Sequence, residues 1–480
     1  MQRKFLTNLA LLLFLNVLIK PFWILGIDRS VQNVVGAEDY GLYFALFNFS
    51  FLLNILLDIG LTNFNNKNIA QNNYLLSKHF SSIVVLKLAL ACIYASITLL
   101  AGYFMGYNYE QFMLLLLLAF NQFLLSFILY LRSNLAGLHL FKTDSVISVL
   151  DRMLMIIICG ILLWGNVTEQ TFQIEWLVYA QTAAYLLTAF AAFLLVLTKA
   201  KFMKLKWNFP FFVMILKQSF PFAVLILMMT FYNRIDAVMM ERMLPDGAEQ
   251  SGIYAQGYRL LDATNMIAYL FAVLLLPIFA RMIKLKQSVE QLVNLSFSLL
   301  ITPAIIIAIG SFIYRTELMD LLYNEHIEQS APVFGLLMSC FIAIAITYIF
   351  GTLLTANGSL KELNMMAAGG IVINIALNLI LIPEYHAKGA AIASLVTQFT
   401  TALIQVLIVQ YIFKFKVNYR LLITLTVFVI GVGIICYFSK WLPWQWTINF
   451  CIMAGCCIVL AFFVKLLSIK SIYNIVKYGN

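Results

Sequence analysis

Apolar segments long enough to cross a membrane follow one another along almost the entire chain. A bilayer-spanning helix needs about 20 mostly apolar residues, and a window of that length finds fourteen such segments. The connections between them are too short for a soluble domain. We place the segments at Phe5–Ile27, Tyr40–Leu61, Ser81–Met105, Phe112–Leu138, Ser145–Trp164, Ile174–Leu197, Val213–Met239, Gly252–Phe279, Leu292–Ile313, Ala331–Ala356, Leu363–Ile382, Ala387–Phe413, Leu421–Phe438 and Trp446–Leu467.

Composition agrees with this interpretation. Hydrophobic residues make up 63% of the chain and charged residues only 11%, whereas soluble domains are about half apolar and a quarter charged. The sequence therefore predicts an all-α, polytopic membrane protein with fourteen transmembrane helices. It excludes a secreted enzyme, a nucleic-acid-binding domain and a soluble nucleotide hydrolase.

The formal net charge of +10 comes from 31 Lys and Arg against 21 Asp and Glu. Lys and Arg concentrate in one alternating set of predicted loops and in both tails, whereas the other set carries most of the loop acids. Cytoplasmic loops of membrane proteins collect Lys and Arg. The pattern therefore predicts cytoplasmic termini and an even number of helices, and it explains the basic excess without nucleic acid.

No cofactor site is indicated. The seven cysteines all lie in apolar segments without zinc-ligand spacing, so we interpret them as packing residues. Nothing matches the phosphate-binding loop of ATPases. A transport function would have to be driven by an ion gradient, by the membrane potential or by the substrate gradient.

A short repeat divides the chain. The pattern G-A-E-x-x-G-x-Y occurs at Gly36–Tyr43, after the first predicted helix, and again at Gly247–Tyr254, after the seventh. Both halves start on the same side of the membrane, so the repeat is parallel, as in known transporters. We predict an N-terminal lobe at residues 1–198, a cytoplasmic linker at 199–212, a second lobe at 213–413, and two further helices with a cytoplasmic tail at 414–480.

Ionisable residues inside the predicted helices are candidates for function, because each costs at least about 2.5–3.5 kcal/mol to insert. They all fall in predicted helices one to five, seven and eight: Lys20, Asp58, Lys87, Arg132, Asp151, Arg152, Arg234, Asp236, Arg259 and Asp262. Cations at two depths suit an anionic cargo. The planar guanidinium of arginine can bond two phosphate oxygens at once.

Each of these residues also has a structural interpretation. Arg259 and Asp262 share a helical face and can neutralise each other, and Asp151 and Arg152 can pair with neighbouring helices. Lys87 and Arg132 can extend to the membrane surface, and Asp58 can act as a local hydrogen-bond acceptor. The aromatic residues near the predicted outer ends, Tyr232 and Tyr258 among them, fit an interfacial belt or a surface that stacks on sugars.

The chain resembles a known family at several stretches: Val34–Tyr43, Asp58–Leu61, Arg132–Leu138 followed by Lys142, Lys217–Phe222 and Asn233–Asp236. It is similar to the oligosaccharide flippases of bacterial polysaccharide biosynthesis, within the multidrug/oligosaccharidyl-lipid/polysaccharide exporter superfamily. The resemblance implies a V-shaped fold with a cationic central cavity. It also implies transfer of a polyprenyl-diphosphate-linked oligosaccharide between leaflets by alternating access.

One departure from the resemblance concerns the cargo. Related lipid II flippases carry several arginines near the first two helices, but here only Lys20 and Arg29 lie there. This argues against lipid II. We therefore expect a flippase for an O-antigen, capsule or exopolysaccharide repeat unit in the bacterial cytoplasmic (inner) membrane. Its expected partners are the lipid-linked oligosaccharide, membrane lipids and the polysaccharide polymerase machinery.

Two sets of residues are predicted to act. Substrate binding is assigned to Lys20, Arg132, Arg152, Arg234, Arg259, Tyr232 and Tyr258, and ion coupling to Asp58, Asp236 and Asp262. Two alternatives stay open: a cation-coupled drug or metabolite antiporter of the same superfamily, and a membrane-embedded polysaccharide polymerase or ligase. An antiporter favours cavity acids over bases, and a polymerase needs a longer outer loop than the segment at residues 314–330.

Overall fold

A computed structural model describes residues 15–467 except positions 17, 20, 63, 64, 66–68, 70, 71, 73, 139, 166, 168, 201–206, 416 and 417. All regular secondary structure in this part of the chain is helical. A π-helical turn at Trp23–Asp28 leads into α1, Arg29–Leu52, which is followed by a 3₁₀ turn at Asn54–Leu57. Then come α2 Tyr74–Phe104, α3 Tyr109–Gly137, α4 Phe141–Trp164, α5 Ile174–Leu197 and α6 Phe209–Met243.

The second half continues in the same way. Its helices are α7 Gly247–Lys284, α8 Glu290–Ile313, α9 Arg315–Leu322, α10 Ile327–Asn357, α11 Leu360–Phe413, α12 Tyr419–Ser439 and α13 Trp446–Phe463. Local sequence explains several helix ends. Asn108 and Gln111 exchange side-chain and backbone hydrogen bonds in a capping box that starts α3. Gly358 ends α10 in the left-handed conformation, with φ 79°.

Among the described residues, eleven helices are long and apolar enough to cross a membrane. The chain is thus a multi-pass membrane protein. The exact number of fourteen crossings stays a prediction. α11 contains 54 residues, far more than one crossing needs. It changes direction at His386, whose φ is 51°, close to the predicted boundary at Pro383. Predicted helices eleven and twelve therefore form two helical segments joined at this kink.

Two segments that we predicted as loops contain helix. The predicted loop between Ile27 and Tyr40 is helical, with a single break at Gly36, where φ is 82°. Hydropathy misses this segment because Asp28, Arg29, Glu38 and Asp39 lower its average, although they lie on a helix. The predicted outer loop at residues 314–330 contains α9, a helix of eight residues.

The chain divides into two compact units, Met1–Gly252 and Ile253–Asn480. In the first unit α3 packs against α5, α1 against α6, and α4 against α5. In the second unit α10 packs against α8 and α11, and α12 against α13. The lobe boundary that we predicted at residues 199–212 stays a prediction, since positions 201–206 lie outside the described residues.

Candidate functional site

Lys87 and Asp58 form a buried ion pair in the first unit. The Lys87 side chain on α2 is 1% exposed, and its Nζ lies 2.5 Å from Asp58 Oδ1. Nζ also donates to the Leu57 carbonyl oxygen at 3.0 Å and to Ser126 Oγ at 2.9 Å. The three contacts account for all three ammonium hydrogens. Lys87 therefore does not extend to the membrane surface, and its charge is already balanced.

Arg132 is likewise paired with a carboxylate. Its Nε donates to Asp144 Oδ1 at 2.8 Å, and Nη2 lies 3.5 Å from Oδ2. Arg132 lies near the end of α3 and Asp144 in the first turn of α4, so the pair joins two consecutive helices across the short turn between them. A substrate phosphate could use this guanidinium only by competing with Asp144.

Arg152 is oriented by aromatic rings. Its guanidinium carbon lies 5.7 Å from the centroid of Trp23 and 6.0 Å from that of Tyr185. Nη2 lies 3.4 Å from the Tyr185 hydroxyl, and the neighbouring Asp151 carboxylate is 3.6 Å from Nε. The rings orient the guanidinium, and the Asp151 carboxylate offsets part of its charge.

A buried carboxylate that hydropathy had assigned to a loop lies just before α1. Asp28 is 2% exposed. It accepts hydrogen bonds from the Tyr40 hydroxyl, at 2.9 and 3.0 Å to its two oxygens, and from Gln32 Nε2 at 3.2 Å. The helical spacing of Asp28 and Gln32, four residues apart, is the signal that could have found it.

We expect Tyr40→Phe to lower the free energy of unfolding by about 1.5–3 kcal/mol, the range for a hydrogen bond to a charged group. The reason is that Asp28 loses a hydroxyl that contacts both of its carboxylate oxygens. Denaturant unfolding in detergent micelles measures this change. Tyr179→Phe, at an exposed position, serves as the control. Equal free energies of unfolding for the two variants would show that the Tyr40 hydroxyl does not stabilise the protein through Asp28.

Arg234 on α6 contacts α1. Its Nη1 donates to Asn48 Oδ1 at 2.9 Å, and its guanidinium carbon lies 4.5 Å from the Phe51 ring centroid. Asn48 is itself fixed by donating to the Phe44 carbonyl oxygen at 2.8 Å. These two contacts fix the direction of the guanidinium.

The remaining predicted residues have different environments. Tyr232 and Asp236 on α6 are each 1% exposed. In the second unit, Tyr258 is buried and stacks on Tyr254 with centroids 5.6 Å apart, whereas Arg259 and Asp262 are half-buried. Lys20 lies outside the described residues. The first unit thus places Lys87, Arg132, Arg152 and Arg234 in four separate contact groups.

The C-terminal end of α6 contacts the turn between α2 and α3. The Arg242 guanidinium lies 3.9 Å from the Tyr107 ring centroid and pairs with Glu241 at 2.8 Å. Burial, and then the nearby charge of Glu241, raise the pKa of Tyr107 to about 12. The phenol therefore stays protonated at physiological pH.

The two copies of the sequence repeat pack directly against each other within the first unit. A Cβ atom added at Gly41 would fall on the carbonyl oxygen of Ala248, and one added at Gly252 would fall on the carbonyl oxygen of Ala37. The contact is reciprocal, since the second glycine of each copy meets the alanine of the other. Only glycine permits backbones to approach this closely.

Within the part of the chain that the structure describes, no three His, Cys, Asp or Glu side chains lie together as a metal site. The ionisable groups instead form pairs and cation–π contacts.

A family model described as polysaccharide biosynthesis protein matches residues 8–283, more than half of the chain. The chain belongs to this family. No curated protein sequence matches it. The family assignment agrees with the resemblance that the sequence motifs indicated.

Solved structures share the fold. The chain is similar to the lipid II flippase MurJ in an inward closed conformation, with TM-score 0.64, 15% identity, and coverage of 95% of this chain and 98% of that one. A transporter of the MOP superfamily from Pyrococcus furiosus matches with TM-score 0.58 and 14% identity over 84% and 93% of the two chains. The Vibrio cholerae MATE transporter VcmN, solved as a mutant, matches with TM-score 0.54 and 14% identity over 85% and 98%. The chain therefore shares the fold of these solved transporter structures.

Proposed function

We propose that this protein is a flippase that moves a polyprenyl-diphosphate-linked oligosaccharide from the cytoplasmic to the outer leaflet of the bacterial cytoplasmic membrane by alternating access. The cargo would be an O-antigen, capsule or exopolysaccharide repeat unit. Membership of the polysaccharide biosynthesis family and the transporter fold support this proposal. The family links the chain to polysaccharide biosynthesis, and the fold is one that transporters use to move substrates across a membrane.

The observation that carries the proposal is the environment of Arg234. Its side chain is oriented by the Asn48 amide and the Phe51 ring. A diphosphate presents several anionic oxygens, and a guanidinium can bond two of them at once. Arg152, between two aromatic rings, is suited to the same task.

We assign the other roles as part of the same proposal. Substrate binding includes Lys20, Arg132, Arg152, Arg234 and Arg259, with sugar contacts from Tyr232 and Tyr258. Proton coupling is assigned to Asp58, Asp236 and Asp262. Among the substrate residues, Arg152 and Arg234 are the first candidates for binding the diphosphate. Aromatic rings orient Arg152, and the Asn48 amide and the Phe51 ring orient Arg234. Arg132, in contrast, is held closely by Asp144.

We expect Arg234→Ala to lower glycan export at least about tenfold, because one phosphate-bonded guanidinium contributes roughly 1.5–3 kcal/mol. Arg234→Lys should retain part of the activity, since it keeps the charge and loses the fork. The measurement is surface glycan in a deletion strain that carries each variant at equal protein level. Arg315→Ala is the matched control, because Arg315 also lies over a phenylalanine ring, at 5.0 Å from Phe312.

Three outcomes would contradict the proposal or a part of it. Normal export by both Arg234→Ala and Arg152→Ala would remove these residues from the mechanism. Unpolymerised repeat units that accumulate outside the membrane in the deletion strain would favour a polymerase, whereas accumulation inside supports a flippase. Drug sensitivity of that strain with normal glycan would favour an antiporter.

A further inference from the structure

A cleft of about 390 Å³ opens in the second unit where two helices end and a third begins. It is lined by the turn between α7 and α8 and by the end of α11. The lining residues are Ile283, Lys286, Gln287, Ser288, Val289, Glu290, Phe413, Lys414 and Phe415. The loop charges predict that this turn faces the cytoplasm.

The walls of the cleft are fixed by helix-ending hydrogen bonds. Lys286, with φ 53°, follows the end of α7 and donates its N–H to the Ile283 carbonyl oxygen at 3.0 Å. Lys414, with φ 52°, ends α11 and donates to the Gln410 carbonyl oxygen at 3.0 Å. Both lysines therefore sit on defined backbone turns.

The charge of the cleft is positive. Lys286 and Lys414 are exposed, and neither forms an ion pair among the described residues. Arg281 and Lys284 lie in the last turn of α7, next to the cleft in sequence. Glu290 is the one acidic residue in this lining. In addition, the N-cap residue of α8 is Val289, whose side chain cannot cap the first-turn N–H groups. Ammonium groups and uncapped amides both favour an anionic ligand.

The rest of the lining is apolar. The Phe413 and Phe415 rings lie 5.4 Å apart and are tilted by 30°, and Ile283 and Val289 complete this wall. A free inorganic anion gains nothing from such a surface. A phospholipid offers a phosphate for the lysines and a glycerol and acyl region for the aromatic side, at the depth where membrane-spanning helices end.

We propose that this cleft binds the headgroup of an anionic membrane phospholipid on the cytoplasmic side of the protein. Lys286 and Lys414 contact the phosphate, and the two phenylalanines contact the glycerol and first acyl carbons. Basic pockets between transmembrane helices bind anionic headgroups elsewhere. This lipid is distinct from the transported substrate, so the site would hold it whether or not the protein is a flippase.

The test uses the full chain in detergent, titrated with dihexanoyl-phosphatidylglycerol, with dihexanoyl-phosphatidylcholine or with inorganic phosphate, and native mass spectrometry to count bound molecules. We expect one phosphatidylglycerol to bind more tightly than phosphatidylcholine. The affinity of the double variant Lys286→Gln/Lys414→Gln for phosphatidylglycerol should be lower by roughly thirtyfold, about fivefold for each lysine.

The control double variant Lys361→Gln/Lys388→Gln removes the same charge from two exposed positions elsewhere in the unit. It should bind phosphatidylglycerol as the parent does. Equal loss in both double variants would overturn the proposal, because general surface charge would then explain binding. Phosphate that binds as tightly as phosphatidylglycerol, with the same lysine dependence, would also overturn it. Matching unfolding midpoints without lipid establish that the variants are folded.

Discussion

Replacing Asp58 with asparagine is expected to lower the free energy of unfolding by about 3–5 kcal/mol, the usual cost of leaving one member of a buried ion pair without its partner. The Lys87 side chain is 1% exposed and its ammonium lies 2.5 Å from Asp58 Oδ1. The neutral amide would leave a buried positive charge with no carboxylate to balance it, beside uncharged acceptors such as the Leu57 carbonyl and the Ser126 hydroxyl. Denaturant titration in mixed micelles measures the change.

The double variant Lys87→Met/Asp58→Asn should recover most of this loss. It removes both charges, and a buried pair replaced by groups of similar size is often neutral in stability. Asp39→Asn, at an exposed position, should change stability by less than about 0.5 kcal/mol. A double variant as unstable as Asp58→Asn would show that the pair is not the source of the effect.

This ion pair also constrains the coupling proposal. Asp58 holds Lys87 and also accepts a hydrogen bond from the Thr62 hydroxyl at 2.6 Å. Protonation of Asp58 would release Lys87 inside the first unit. If Asp58 carries the coupling proton, Asp58→Asn mimics the protonated form and should abolish the pH dependence of export. Export with an unchanged pH profile would assign Asp58 a purely structural role.

The sequence predicted the helices well where apolar residues dominate every face. The segments from α2 to α5, α8, and α10 to α13 are apolar over most of their length, so a hydropathy window finds them. It failed over the first part of α1, residues 29–39, because Arg29, Glu38 and Asp39 lie on that helix and Asp28 lies just before it. Hydropathy averages over all faces of a helix, so it cannot separate a polar loop from a helix with polar residues packed inside the protein.

The partners of the charged residues were harder to predict. Arg132 and Asp144 are 12 residues apart across one short turn, and antiparallel neighbours bring such positions together. The Arg132–Asp144 pair could therefore have been predicted from the sequence. Lys87 and Asp58 are 29 residues apart on different elements, and Arg234 and Asn48 are 186 apart. Such contacts depend on how the helices pack, which hydropathy and charge patterns do not specify.

Close packing of the two repeat copies leads to the last prediction. We expect Gly252→Ala to lower the free energy of unfolding by about 3 kcal/mol or more, the upper part of the range for overpacking. Its methyl group would coincide with a backbone atom, the carbonyl oxygen of Ala37, which cannot move as a side chain does. Gly369→Ala is the matched control, since a Cβ there meets nothing within 4 Å.

Gly369→Ala should stabilise the protein by about 0.5–1 kcal/mol, because alanine loses less backbone entropy in a helix. Gly252→Ala and Gly369→Ala should therefore change the free energy of unfolding in opposite directions. Gly41→Ala should resemble Gly252→Ala, and the double variant should cost little more than either single one, because one methyl group already separates the backbones. Additive losses would show that the glycines pack independently. If alternating access separates these two copies once per cycle, Gly252→Ala should also change the rate of export in protein that remains folded.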